Sequence, residues 1–250
     1  MKAIILGAGQ GKRLLPATVD KPKCMLQIGE KTIIEWQIDN LHKYGIKEIV
    51  VITGFQSLLL EDFLQKRYGD SVKTIFNPFY SVSDNLMSCW IAYDELNSDF
   101  MIINGDTLFE AHIINKLLST KTHNIIVTID TKDRYDADDM KVTFDKISNK
   151  LLRVGKDIPL EEINGEAIGI HFFRDKGPYY FRKAIQKFIR DEKALKMWYL
   201  SIINELAINS DVGVCCIKGL KWVEIDYPED LKKAESTVVN LKKHQTKLLP

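Results

Sequence analysis

Apolar residues along this chain fall into two rhythms, short unbroken runs and longer stretches that repeat every three to four positions. The runs KAIIL (residues 2–6) and EIVVIT (48–53) read as buried strands, and the stretch TIIEWQIDNLHKYG between them carries Ile33, Ile34, Ile38 and Leu41 at helical spacing before Gly45. The alternation then continues, with SLLLEDFLQKRYG as a helix, VKTIF as a strand, DNLMSCWIAYDEL as a helix and DFMIING as a strand. AHIINKLLS and NIIVTI supply another helix and strand. Strands alternating with helices predict a mainly parallel sheet with helices on both faces.

After about residue 130 the rhythm changes. MKVTFD, KLLRVG and GEAIGIHFF read as strands with little between them, which predicts an antiparallel extension over the edge of the parallel sheet. Two helices, GPYYFRKAIQKFIRDE and MWYLSIINELAI, precede the strands VGVCCIKG and KWVEID. PEDLKKAESTVVNLKK closes the chain as a helix with Pro228 in its first turn, and HQTKLLP (244–250) reads as a frayed tail. No linker or repeat divides the sequence. The expectation is one α/β domain over residues 1–250, Rossmann-like, with an alternating first half (1–130) and a second half that carries the antiparallel extension and the closing helix (131–250).

Composition changes this picture little but excludes several functions. The 250 residues carry a net charge of +1, so no field of one sign points to nucleic acid or an anionic membrane as partner. The chain enters a strand at once, without an apolar signal core, and no apolar run spans a bilayer, so a cytoplasmic setting is expected. Cys24, Cys89, Cys215 and Cys216 show no C-x-x-C spacing and read as reduced core thiols. The five histidines form no metal-binding cluster.

The candidate chemistry begins in LGAGQGKRLLPATVDKPK (6–23), directly after the first strand. A glycine-rich turn lets backbone N–H groups approach an anion, and Lys12, Arg13 and Lys23 add charge. The spacing is not that of a P-loop, because Leu6 and Arg13 stand where a glycine and a hydroxyl are needed. Nor is it a dinucleotide fingerprint, since Gly7, Gly9 and Gly11 give G-x-G-x-G and the next strand ends in Thr53 and Gly54. Asp106, after MIING, and Asp226, after WVEI, each follow an apolar strand, where ligands of open α/β sheets bind. Two hard carboxylates beside a polyphosphate loop suit Mg²⁺.

Taken together, LGAGQGKRLLPATVDKPK, MLQIGEKTIIEWQI, NGD and EIDYPEDL resemble the motifs of the sugar-nucleotidyltransferase superfamily. DADDMKV, VGKDIP, GEAIGI and WVEIDYPEDL resemble most the small bacterial cytidylyltransferases that activate phosphocholine, 2-aminoethylphosphonate or phosphoglutamine. The resemblance implies that Leu6, Gly7, Ala8 and Gly9 line the nucleotide and that Gly11, Lys12 and Arg13 surround its triphosphate. Lys23 would neutralise the phosphoryl group under attack, and Asp106 and Asp226 would hold Mg²⁺. Ser83 and Asn85 of SDNL would lie near the nucleotide or acceptor, and Lys141, Lys156 and Glu166 would serve the acceptor, Lys156 also catalysis. Gly-Ala-Gly and Gly-Lys-Arg replace the Ala-Gly-Gly and Gly-Thr-Arg of many thymidylyl and uridylyl enzymes, so their base preference does not transfer.

The implied reaction joins CTP to a small phosphorylated amino compound with release of pyrophosphate, by an enzyme that is a monomer or a homodimer. For a zwitterionic acceptor, the loop DTKDRYDADDMK offers Lys132 and Arg134 beside Asp136, Asp138 and Asp139, and the phosphoglutamine enzymes point to L-glutamine phosphate. A choline head group would instead draw on Tyr80, Trp90, Tyr135, Trp198 or Tyr199. The alternatives are a sugar-1-phosphate nucleotidyltransferase and a non-catalytic nucleotide-sensing relative. Arg13, Lys23, Asp106 and Asp226 standing together argue against the latter.

Overall fold

The computed structural model describes residues 1–246. Strand β1 (Lys2–Leu6) leads through the glycine loop and a short hairpin, β2 (Gln27–Ile28) and β3 (Lys31–Thr32), into α1 (Ile33–Lys43). There follow β4 (Glu48–Thr53), α2 (Ser57–Tyr68), β5 (Val72–Phe76), α3 (Asn85–Ile91), β6 (Phe100–Asn104), β7 (Thr107–Phe109), α4 (His112–Ser119) and β8 (Ile125–Asp130). The second half contains β9 (Lys141–Phe144), β10 (Leu151–Gly155), β11 (Gly165–Phe173), α5 (Gly177–Phe188), α6 (Tyr199–Asn209), β12 (Val212–Cys216), β13 (Trp222–Glu224) and α7 (Pro228–Thr246). The expected frayed tail is helical as far as Thr246, and 247–250 lie outside the described residues.

Local signals account for the elements. At the start of α1 the Thr32 hydroxyl accepts from the Glu35 N–H and the Glu35 carboxylate accepts from the Thr32 N–H at 2.8 Å, a capping box written in the sequence as T-I-I-E. Strands β5, β4, β1 and β6 pair in parallel, in that order. The antiparallel extension joins at the β6 edge through β11, whose Phe172 pairs with both Met101 of β6 and Ile126 of β8. The strand pattern alone puts β8 with the parallel set, but β11 stands between it and β6. β12 then adds in parallel to β8.

Alternating positions feed the two faces. Ile4 and Leu6 of β1, with Phe100 and Ile102 of β6, pack beneath α3, α5 and α6, whereas Ala3, Ile5, Met101 and Ile103 pack beneath α1, α2 and α4. Burial of such aliphatic side chains contributes about 1.5–3 kcal/mol each. A third, smaller core joins Leu14, Leu26, Ile28, Ile33 and Trp36 to Leu108, Ile225, Ala234 and Val238. Through it the closing helix clamps the β7–β13 segments against the loop after β1, and this arrangement builds the site.

Candidate active site

Asp106 sits in the tight connection between β6 and β7, and Asp226 lies just past β13. Those two strands form an antiparallel ribbon apart from the main sheet, with Glu224 paired to Thr107, and the next rung is a 3.1 Å bond from the Ile225 N–H to the Asp106 carbonyl. The sequence expectation that both aspartates end strands of the open sheet is corrected here, since Asp226 belongs to the ribbon. Gln37 of α1 donates from Nε2 to the carbonyls of Asn104 and Thr107, both at 2.8 Å. Asp230, in the first turn of α7, accepts from the N–H groups of Asp226 and Tyr227 at 3.1 and 2.9 Å.

The Lys23 ammonium lies between the two aspartates, donating to Asp106 Oδ2 at 2.8 Å and to Asp226 Oδ1 at 2.6 Å. Burial pulls its pKa down, but the two carboxylates outweigh that and hold it above the ordinary lysine value. Gly11, at φ +72°, takes a left-handed turn and packs on the aliphatic stem of Lys23. Arg13 reaches Asp226 Oδ1 at 2.7 Å, donates to the Tyr227 hydroxyl at 2.9 Å and lies over the Tyr227 ring. Burial acts against the Arg13 charge, yet Tyr227 and Asp226 raise its pKa.

Leu6, Ala8 and Gly9 line a cavity of about 240 Å³ together with Tyr80, Ser83, Asn85, Ser88, Asn104, Asp106 and Trp198. Gly7 instead packs on Cys24 and Val51, away from that cavity, and Lys12 is exposed outside it. The side chains of the SDNL turn do not cap α3. Ser83 Oγ donates to the Phe79 carbonyl at 2.8 Å, and Asn85 Oδ1 accepts from the Tyr199 N–H at 3.0 Å, at the start of α6.

A second cleft, about 650 Å³, opens on the other side of Asn104 and is lined by Arg13, Lys132, Asp136, Asp138, Asp139, Glu166, Trp222, Glu224, Asp226, Tyr227, Asp230 and Lys233, among others. Lys132 bridges Asp139 at 2.7 Å and Glu166 at 2.8 Å. Burial pushes the Glu166 carboxyl up to about 7 against the pull of Lys132, and Asp139, hydrogen-bonded to it, stays low. Burial, with Asp106 and Asp226 nearby, pushes Glu224 up to about 8. Lys156 binds Asp138 of the cleft lining at 3.2 Å and lies over the ring of Trp198 from the small cavity, but itself belongs to neither lining.

Lys141 is placed differently from the expectation. Its ammonium is buried, donating to the carbonyls of Ala137 at 3.2 Å and Lys156 at 2.9 Å, so it ties together the loops that carry Asp138 and Lys156 instead of facing the cleft. Arg134 is likewise exposed outside the cleft lining. His171 is fully buried and pushed down to about 3, hence neutral, and burial pushes the Cys24 thiol up to about 12.

The donor set fits a hard divalent cation. Two carboxylates from distant segments converge on one point, and a protein cation, the Lys23 ammonium, already occupies it. Mg²⁺ takes one or two carboxylates and completes its octahedron with water and phosphate oxygens. Among the described residues no group of three or more His, Cys, Asp or Glu side chains is placed to cage a metal, and a site of this kind does not need one.

Reading the sequence left out Tyr227, Glu224, Trp222, Asn104 and Gln37. Tyr227 and Glu224 flank Asp226 within WVEIDYPEDL, and Asn104 opens NGD, so adjacency to the two aspartates was the signal for these three. Gln37, like Asn40, is a polar residue at a buried position of a mainly apolar helix face, which was a weaker signal.

Comparison with known proteins places the chain in a family. The family model for nucleotidyl transferases matches residues 2–140. The choline-phosphate cytidylyltransferase of Streptococcus pneumoniae is 28% identical over 96% of this chain and 99% of its own. The CTP:phosphoglutamine cytidylyltransferase of Campylobacter jejuni is 26% identical over 93% of this chain and 98% of its own. The solved structure of the inositol-1-phosphate CTP transferase from T. maritima superposes with a TM-score of 0.81 at 19% identity, covering 97% of this chain and 96% of that one, and shares its fold.

Proposed function

The chain belongs to the nucleotidyl transferase family and is an enzyme, and on that premise we propose that it joins CTP to a small phosphorylated amino compound, L-glutamine phosphate in the first instance. The observation that carries the reading is the convergence of Lys23, Arg13, Asp106 and Asp226 between a small polar cavity and a larger, carboxylate-lined cleft. The nucleotide takes the small cavity and the acceptor the cleft.

In the reaction, an oxygen of the acceptor phosphate attacks the α-phosphorus of CTP. The new P–O bond forms as the bond to the bridging oxygen breaks, and pyrophosphate leaves with that electron pair. The acceptor phosphate is ionised at neutral pH, so no strong base is required, and the barrier is the approach of two anions. Asp106 and Asp226 would hold Mg²⁺, which would supply charge neutralisation at the phosphates. Lys23, released from the aspartates, turns its ammonium to the reacting phosphoryl group, and Arg13 pairs with the outer phosphates. Four free cysteines and a nucleoside triphosphate substrate suit the cytoplasm.

The cleft favours an ammonium-bearing acceptor, because the aspartates Asp136, Asp138 and Asp139 line it, and Lys132 supplies a partner for a carboxylate. Phosphocholine is the second reading, supported by Trp222 and Tyr227 in the lining. However, Arg13 already covers the Tyr227 ring and Lys156 the Trp198 ring, which argues for the zwitterion. The test is incubation with CTP, Mg²⁺ and an equimolar mixture of L-glutamine phosphate, phosphocholine, 2-aminoethylphosphonate and glucose 1-phosphate, with products read by mass. CDP-L-glutamine should predominate. A dominant CDP-choline or nucleotide sugar would overturn the acceptor assignment.

A further inference from the structure

Asn104, at the end of β6, lines both the small cavity and the larger cleft, alone among the described residues. Its Oδ1 accepts a hydrogen bond from the Tyr199 hydroxyl at 3.1 Å. Tyr199 is fully buried, and a buried phenol must donate its proton; this fixes which end of the Asn104 amide faces it. The Nδ2 end is therefore turned away from Tyr199, toward Gly169 on the lining of the larger cleft. Around the pair, room has been kept. A side chain at Gly169, in β11, would come within 2.7 Å of Asn104 Cβ and 2.8 Å of its Nδ2. The Tyr199 ring is braced edge-on by His171 at 5.5 Å, and the Tyr199 N–H holds Asn85 on the wall of the small cavity.

We infer that Asn104 donates from Nδ2 to a phosphate oxygen at the junction of the two substrates, and that Tyr199 is a positioning residue that aims this amide. The inference rests on the reading above, in which both substrates carry phosphate to that junction. An N–H donor fixed before the substrates arrive stabilises charge developing in the transition state without reorganisation. Tyr199 acts only through Asn104 and touches neither substrate.

The test is a double-mutant cycle in steady-state kinetics with CTP and the best acceptor, with melting temperatures measured alongside. Asn104→Ala should lower kcat on the order of 10²-fold. Tyr199→Phe, which keeps the ring and removes only the hydroxyl, should lower kcat about 10-fold with the KM for CTP within about twofold, as a slackened donor would. In the Asn104→Ala background, Tyr199→Phe should cost less than about twofold more, because the residue through which it acts is gone. Wild-type kcat in Tyr199→Phe, or a full further 10-fold loss in the double variant, overturns the inference and leaves the reaction assignment standing. If Tyr199→Phe does not fold, Asn104→Asp and Asn104→Ala decide, and wild-type kcat in either overturns the inference. A wild-type protein that turns over no acceptor overturns the reading and the inference with it.

Discussion

Lys23 and Asp226, 203 positions apart in the chain, meet at 2.6 Å, and the same ammonium lies 2.8 Å from Asp106. A lysine thus stands where the two carboxylates converge, at the point where they would hold a divalent cation. Its side chain is only 10% exposed, so this ion pair is part of how the loop after β1 is held to the ribbon.

Replacing Asp106 or Asp226 by alanine should lower turnover on the order of 10²-fold or more, the scale of losing one strong electrostatic stabiliser. The fold should persist, because Lys23 keeps one carboxylate partner in either variant. Chelation of divalent cations should abolish turnover in the wild type, with recovery on adding Mg²⁺. Turnover near wild type in both folded variants would reject the metal assignment.

Arg13 and Lys23 should separate kinetically. Arg13, half exposed beside Asp226, is the proposed partner of the outer phosphates of CTP, so Arg13→Ala should chiefly raise the KM for CTP. Lys23→Ala should chiefly lower kcat, having removed charge at the reacting phosphate. Unchanged constants in both would return the loop to a structural turn.

Glu166 sets a pH dependence of stability. Its carboxyl is held at about 7 in the fold against an ordinary 4.5, by burial and by Asp139, with Lys132 pulling the other way. The folded state therefore binds more protons than the unfolded one between these values, and the Glu166 contribution destabilises the fold progressively as pH rises from about 4.5 to about 7, then levels off. Melting temperatures of Glu166→Gln and wild type should diverge in the variant's favour over that window. A difference independent of pH would contradict the assignment.

Much of this was legible in the chain. The alternation of KAIIL, EIVVIT and their intervening helix gave the parallel set, and the glycine and aspartate motifs marked the site, because both are local patterns. The ribbon was not legible. β7 and β13 have three residues each, too short for periodicity to register, and their pairing spans more than a hundred positions. Lys141 was misplaced for a related reason: the resemblance of DADDMKV implied an acceptor ligand, and only the fold shows that two backbone carbonyls use its ammonium.

Base preference should favour CTP over UTP and dTTP in kcat/KM, with the difference residing in the cavity bordered by Ala8, Gly9, Tyr80 and Ser83. Parallel assays with the three nucleotides at one acceptor concentration check this. Equal use of all three would remove the cytidylyl assignment and keep the reaction class.

The most direct measurement is pyrophosphate release from CTP and Mg²⁺ in the presence and absence of L-glutamine phosphate, with the CDP conjugate quantified by mass in the same samples. Release should depend on the acceptor, match the conjugate one for one, and fall on the order of 10²-fold or more in Asp106→Ala. Release that proceeds equally without any phosphorylated acceptor, or no release with any acceptor in the panel, would contradict the account.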